Sequence, residues 1–256
     1  MPDDMGLRGK VVIVTGAGRG IGAAAARRFA GCGASVAVLD RKAELAQDTT
    51  DRIRADGGVA EALVADVTDE DAVIAAVAEA ERRLGPIDVL VNNAGIAERD
   101  PFLEIEAGAW RRVIDVNLTG VFLLSQAVVR RMVERGAGGA IVNVSSVAGL
   151  TGMSGRVAYV ASKHGVVGLT KIMAFELGAQ QIRVNAVAPG AVETDMTRLA
   201  DSPEARERVA ASHPLGRGGQ PEEVADLIVY LASHRASYIT GSVVSVDGGF
   251  LAGKAV

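Results

Sequence analysis

A chain of 256 residues, 49% hydrophobic and with a formal net charge of −4, can bury a large core and lacks the basic surplus of a nucleic-acid-binding surface. No linker-like run or fixed-period repeat divides it, and no apolar run of about 18 residues reads as a membrane span, so one soluble domain (residues 1–256) acting on a small molecule is expected. Residues 1–8 are polar and Cys32 is the single cysteine, which together predict a cytoplasmic protein without an internal disulfide.

Residues 10–14 read as a strand that leads directly into Thr15-Gly16-Ala17-Gly18-Arg19-Gly20-Ile21-Gly22 and an alanine-rich helix to about residue 30. Glycines admit a close backbone approach and a helix N-terminus offers free N–H groups, so strand, glycine loop and helix in that order make a diphosphate cradle. A glycine-rich turn alone is weak evidence. The next strand, 34–39, ends in Asp40, at the distance where an acidic residue grips a ribose diol.

A polar helix over 41–55 and a strand over 59–65 follow, the strand ending in Asp66-Val67. Residues 69–84 repeat Val73, Ala76, Val77, Ala80 and Leu84 at helical spacing. A strand over 87–91 ends in Asn92-Asn93-Ala94-Gly95, and a long helix is expected over about 107–135 with Asn117 at its middle. Strand 140–144 leads to Ser145-Ser146, a helix carrying Tyr159 runs to about residue 178, and strand 182–188 ends in Pro189-Gly190. This alternation predicts a doubly wound parallel sheet, the α/β Rossmann class, in which ligands bind outside the carboxyl ends of the strands. Gly16 to Gly22, Asp40, Asp66, Asn93, Ser146 and Pro189 each follow a strand.

Tyr159 and Lys163 are four apart and share a helix face about a turn from one another. A fixed cation beside a phenol favours the phenolate and lowers its pKa, which would let Tyr159 trade a proton with an alcohol or carbonyl oxygen. Tyr159 as an interior residue and Lys163 as a solvated one is the bland alternative. Ser146, placed at a strand end, could hold the same oxygen.

Taken together, Thr15 to Gly22 (TGxxxGxG), Asn93-Ala94-Gly95 (NAG) and Tyr159 to Lys163 (YxxxK) resemble the short-chain dehydrogenase/reductase family over nearly the whole chain. The resemblance implies a catalytic tetrad of Asn117, Ser146, Tyr159 and Lys163. Tyr159 would be the general acid/base, Ser146 would orient and polarise the substrate oxygen, and Asn117 would hold a proton-relay water. Lys163 would lower the tyrosine pKa and bind the nicotinamide ribose. It further implies cofactor contacts from Gly16, Arg19, Gly20, Ile21 and Gly22, from Asp40 and Arg41, and from Asn93, Ala94 and Gly95. Asp66 and Val67 match adenine contacts, while Pro189, Gly190, Val192 and Thr194 match the nicotinamide end. By the same resemblance Ile96, Val147, Met153 and Arg156 would wall the substrate pocket, under a lid over about 191–214 that carries His213. Ile96, Val147 and Met153 could equally be core.

Hydride transfer between a nicotinamide and a secondary alcohol or ketone is the activity this implies. NAD is expected over NADP because Asp40 would face the 2′-phosphate, although Arg19 and Arg41 are placed as NADP-binding relatives place cations. A 3-oxoacyl-thioester (acyl carrier protein) reductase using NADPH is the alternative, with Arg130, Arg131 and Arg135 receiving an acidic carrier. A non-catalytic dinucleotide-sensing module is a third reading, disfavoured by the intact tetrad. His164, His213 and His234 form no cluster with carboxylates, so no metal is expected. Family members are usually tetramers, and Val121-Phe122-Leu123-Leu124 and the final strand within 241–249 would serve a homotetramer here.

Overall fold

The computed structural model describes residues 5–197 and 202–253. Residues 1–4 and 198–201, which belong to the polar start and to the middle of the expected lid, lie outside the described residues. Seven strands form one sheet: β1 (Val11–Thr15), β2 (Ser35–Asp40), β3 (Val59–Val64), β4 (Ile87–Asn92), β5 (Gly139–Val144), β6 (Ile182–Pro189) and β7 (Val243–Val246). Their order is β3-β2-β1-β4-β5-β6-β7 and every pairing is parallel.

Parallel strands must be joined by crossovers, and helices supply them: α1 (Gly20–Gly31), α2 (Ala43–Ala55), α3 (Glu70–Leu84), α4 (Ala107–Ile114), α5 (Gly120–Arg135), α6 (Val157–Leu177), α7 (Pro203–Ser212) and α8 (Pro221–Ala232). Because successive strand side chains point to opposite faces, β1 divides its residues. Val12 and Val14 pack with Phe29 of α1, Ile53 of α2 and Ile228 of α8. Ile13 packs on the other face with Val77 of α3 and with Leu124 and Met132 of α5. The sheet is therefore covered on both sides, as a doubly wound fold requires.

Winding reverses between β1 and β4, and a crevice opens there at the carboxyl ends of the strands. The register brings those ends level, with Thr15 beside Leu39, Asn92 beside Asn143, and Val144 beside Val187. Below this edge lies a buried polar ladder: the Asn92 side-chain amide donates to Ser125 Oγ and Asn143 Oδ1, both at 2.9 Å, and Asn143 Nδ2 donates to Thr170 Oγ1 at 2.9 Å. It ties β4, α5, β5 and α6 together.

The long helix departs from expectation in two ways. A π turn over Asp115–Thr119 joins α4 to α5 and contains Asn117. Contrary to the reading that no stretch is apolar enough to cross a membrane, Ala107–Arg135 forms a 29-residue helical path with a mean hydropathy of 1.4 in its most apolar window, sufficient by length and composition. Its charges lie toward its two ends, Arg111, Arg112 and Asp115 at one and Arg130, Arg131, Glu134 and Arg135 at the other. Here Leu124, Val128 and Met132 of that path pack against the sheet.

Candidate active site

The glycine loop after β1 is built around contacts that a side chain would prevent. Gly16 has φ of +60°, and a Cβ on Gly22 would lie 2.3 Å from the Gly16 carbonyl oxygen. Asn93 fastens the loop from β4: its Nδ2 donates to Thr15 O at 2.9 Å and Gly16 O at 3.1 Å. Thr15 Oγ1 accepts the N–H groups of Asn93 and Ala94, each at 3.0 Å. Asn93 thus positions the loop, and Thr15 does so with it; Thr15 was not singled out from the sequence, although it opens the TGxxxGxG motif. The N-terminus of α1 has no side-chain cap and no acidic residue in its first turn, which leaves its N–H groups and positive potential to a diphosphate.

At the adjacent end of β2, Asp40 Oδ2 accepts the Gly18 N–H and Oδ1 accepts the Lys42 N–H, both at 3.1 Å. These bonds fix the carboxylate at the cleft wall. Arg41 lines the same wall, whereas Arg19 turns across the mouth to donate to Asp195 Oδ2 at 2.9 Å. Asp66 accepts from the backbone N–H and hydroxyl of Thr68, and these bonds hold its carboxyl below the usual range, with Arg41 adding a smaller effect.

The cleft, of about 300 Å³, runs from Asp40, Arg41, Asp66 and Val67 past Gly16, Arg19, Gly20 and Ile21 and past Asn93 to Ile96. It ends among Ser146, Tyr159, Lys163, Pro189, Gly190, Val192 and Thr194. An elongated cleft with a carboxylate at one end, an uncapped helix terminus at its middle and proton-bearing side chains at the other fits a dinucleotide. Leu45, Met196 and Thr197 also line it and carry no sequence signal that would single them out.

At the far end, Ser146 caps a short 3₁₀ turn (Val147–Gly149), accepting from the Ala148 N–H at 3.1 Å. Gly149 allows this turn to press on α6, since a Cβ there would lie 2.6 Å from the Lys163 carbonyl oxygen. Lys163 is buried, its Nζ 5.7 Å from the Tyr159 ring centroid and donating to Val144 O at 2.8 Å. Burial pushes the ammonium down to about 8. The Tyr159 phenol is pushed up, chiefly by burial, with a hydrogen bond from Ser146 and the charge of Arg156 acting the other way. The lysine-lowered tyrosine expected from the spacing is thus not what the protein alone displays. Desolvation outweighs the Ser146 hydrogen bond and the Arg156 charge, and the Lys163 ammonium is directed at a backbone carbonyl.

Asn117 sits behind this end of the cleft. Its Oδ1 accepts the Ile96 N–H at 2.8 Å, while Nδ2 donates to Ile96 O at 2.9 Å and Ser162 Oγ at 3.1 Å. The side chain therefore fixes the loop after β4, with one lone pair of Oδ1 unused. Of the residues assigned to the substrate, Ile96 lines the cleft and Arg156 lies against Tyr159, its Cζ 5.7 Å from the ring centroid. Val147 is buried, and Met153 stands outside the cleft. His213 is buried against Phe250 at 5.1 Å between ring centroids. Among the described residues no group of histidine, cysteine and carboxylate side chains could hold a metal ion.

Comparison with known proteins gives the family. The family model described as Enoyl-(Acyl carrier protein) reductase matches residues 16–251. The chain is 45% identical over 247 residues to a 3-oxoacyl-acyl-carrier-protein reductase, FabG, of Thermotoga maritima, covering 96% of this chain and 100% of that one. It is 46% identical over 245 residues to a cis-4-hydroxycyclohexanecarboxylate dehydrogenase of Sinomonas cyclohexanicum, covering 95% and 97%. A gluconate 5-dehydrogenase of Burkholderia cenocepacia J2315, solved in complex with NADP and tartrate, superposes with a TM-score of 0.93 at 38% identity, covering 98% of this chain and 99% of that one. The chain belongs to the short-chain dehydrogenase/reductase family and is an oxidoreductase.

Proposed function

We propose that this oxidoreductase interconverts a small secondary alcohol and its ketone, with NAD preferred over NADP and with Tyr159 as the general acid/base. The observation that carries the reading is the meeting of Ser146, Tyr159 and Lys163 at one end of a cleft whose other end is walled by Asp40. A bound nicotinamide supplies the hydride acceptor or donor. Ser146 Oγ orients the substrate oxygen toward Tyr159, which takes the alcohol proton at its phenolic oxygen or returns it to the ketone. The raised pKa of Tyr159 keeps it protonated at neutral pH, the form needed to reduce a ketone. Lys163 places a positive charge beside it, which favours the phenolate that oxidation requires.

The NAD preference rests on Asp40. Two unit charges 4 Å apart at an effective dielectric of 20 repel by ~4 kcal/mol, and a 2′-phosphate would meet that repulsion where a diol meets a hydrogen-bond acceptor. Of the two cations near it, Arg19 is paired with Asp195, which leaves Arg41 on the wall beside Asp40 to offset the repulsion in part. The gluconate 5-dehydrogenase complex holds NADP, so the scaffold itself admits a 2′-phosphate and the end of β2 has to disfavour it here.

Reduction of a 3-oxoacyl thioester is favoured by the relationship to the Thermotoga protein. Against a carrier-docking patch, Arg135 pairs with Asp88 at 3.3 Å and Arg131 lies 3.6 Å from Glu81, so two of the three arginines considered for it have acidic neighbours. We further infer a cytoplasmic homotetramer, since α5 and α6 expose Phe122, Ile172 and Phe175 and β7 leaves an open sheet edge. Nicotinamide absorbance, followed with each cofactor over a panel of secondary alcohols, ketones and 3-oxoacyl thioesters, tests the reading. No turnover of any alcohol or ketone would overturn it.

A further inference from the structure

We propose that Arg99 and Arg156 form an anion-binding subsite beside Tyr159, so that the preferred substrate carries a carboxylate several bonds from its reacting carbon. The inference rests on the oxidoreductase reading of the same site.

Two loops meet at this point. Asp100, in the loop after β4, and Arg156, just before α6, are joined by an isolated parallel backbone bridge, which brings the segment that carries Arg99 up to the start of α6. Arg156 is half-buried and its guanidinium carbon lies over the Tyr159 ring, 5.7 Å from the centroid. Arg99 is exposed at the rim.

Neither arginine forms an ion pair among the described residues. Their neighbours do: Arg112 reaches Glu98 at 2.6 Å, and Arg19 reaches Asp195 at 2.9 Å. Asp100, although adjacent in the bridge, is within ion-pair distance of neither guanidinium. The first turn of α6, which Arg156 caps, contains no acidic residue either.

A partly buried guanidinium is ordinarily paired, and it cannot discharge itself by losing a proton. Burial and the like charge of Arg99 both weigh against the charge of Arg156. A counter-anion relieves both. Neither arginine lines the cleft assigned to the dinucleotide, so that anion is not a cofactor phosphate. Arg156 stands over the ring of Tyr159, whose phenol a substrate has to reach.

The planar fork of a guanidinium matches a carboxylate through two parallel bonds. Because Arg156 lies over the ring rather than at its hydroxyl, a carboxylate held there is separated from the carbon that reacts beside Tyr159. A 2-hydroxy acid is too short; a hydroxy acid with a longer spacer fits.

The test compares 4-hydroxypentanoate and 5-hydroxyhexanoate with their methyl esters in wild type, Arg156→Gln and Arg99→Gln. For wild type, kcat/KM should favour the acids by at least tenfold, mainly through KM. That acid-to-ester ratio should fall at least fivefold in Arg156→Gln and by a smaller factor in Arg99→Gln. The second variant alters an exposed side chain and keeps the test valid if the first does not fold. Equal use of acid and ester by wild type, or an unchanged ratio in both variants, would overturn the proposal. So would a neutral thioester such as 3-oxobutanoyl-N-acetylcysteamine being preferred over every acid. If nothing is turned over, the alcohol–ketone reading fails separately, and calorimetric binding of the same acids and esters decides the subsite by the same ratios.

Discussion

The ammonium of Lys163 donates to the carbonyl oxygen of Val144 over 2.8 Å, so the cation that helical spacing aims at Tyr159 is also bound to the end of β5. Held in the folded protein at about 8 against an ordinary 10.5, Lys163 binds its proton less tightly than the unfolded chain does. Its unfavourable contribution is full below pH 8 and relaxes as pH rises toward 10.5. Tyr159 titrates above this window, because its raised pKa removes stability only as pH passes ~10. Relative to Lys163→Met, wild-type unfolding free energy from urea titrations should therefore increase by about 2 kcal/mol between roughly pH 7.5 and 9.5. A flat difference would mean the ammonium is not desolvated.

Tyr159→Phe should lower kcat by at least ~100-fold while dinucleotide affinity stays within a few fold, because a general acid/base is lost and little else changes. Phenolate absorbance checks the burial effect independently. In the free protein, the part of the titration absent from Tyr159→Phe should have its midpoint above the ordinary value of 10.0. A midpoint below it would restore the simple picture of a lysine-activated phenol.

NAD should be preferred over NADP by at least tenfold in kcat/KM, about 1.4 kcal/mol. Asp40→Ala should erode or reverse the preference, since it removes the carboxylate and frees the N–H groups of Gly18 and Lys42 that now point at it. Steady-state kinetics with both cofactors will show an unchanged ratio if Asp40 has no part in the choice.

Asn143→Leu should destabilise the protein by about 2–5 kcal/mol, because it leaves Asn92 and Thr170 each short of a buried hydrogen-bond partner. Equilibrium denaturation measures this directly. A loss below ~1 kcal/mol would mean the ladder repacks or admits water.

Phe175 on α6 is 87% exposed, beside Ile172 at 48%. Light scattering at micromolar concentration should return a tetrameric mass for wild type and a smaller one for Phe175→Glu, which would bury a charge at the proposed interface. A monomeric wild type would remove that interface.

Strands and helices up to β6 were legible because their signals are local: β-branched runs for the strands, the 3.6-residue repeat of Val73, Ala76, Val77 and Ala80 for α3, and glycines where the backbone turns. The shared edge of Gly16, Asp40, Asn93, Ser146 and Pro189 follows, because parallel strands point their carboxyl ends the same way. Helices α7 and α8 were not read, although Pro221 and the Gln220–Glu223 capping box mark the start of α8.

What the chain alone determined is which groups lie close along it, Tyr159 and Lys163 above all, since four residues of helix impose that proximity in any fold. Tertiary structure decided their charge balance. Lys163 is desolvated by strands and turns that the spacing does not encode, and Tyr159 with it. The same holds for partner choice: Arg19 meets Asp195, 176 residues away, rather than Asp40, while Arg156 feels the like charge of Arg99 and pairs with no carboxylate among the described residues. Burial and ion pairing depend on which distant segments arrive at a site, and a linear sequence states that only once it has folded.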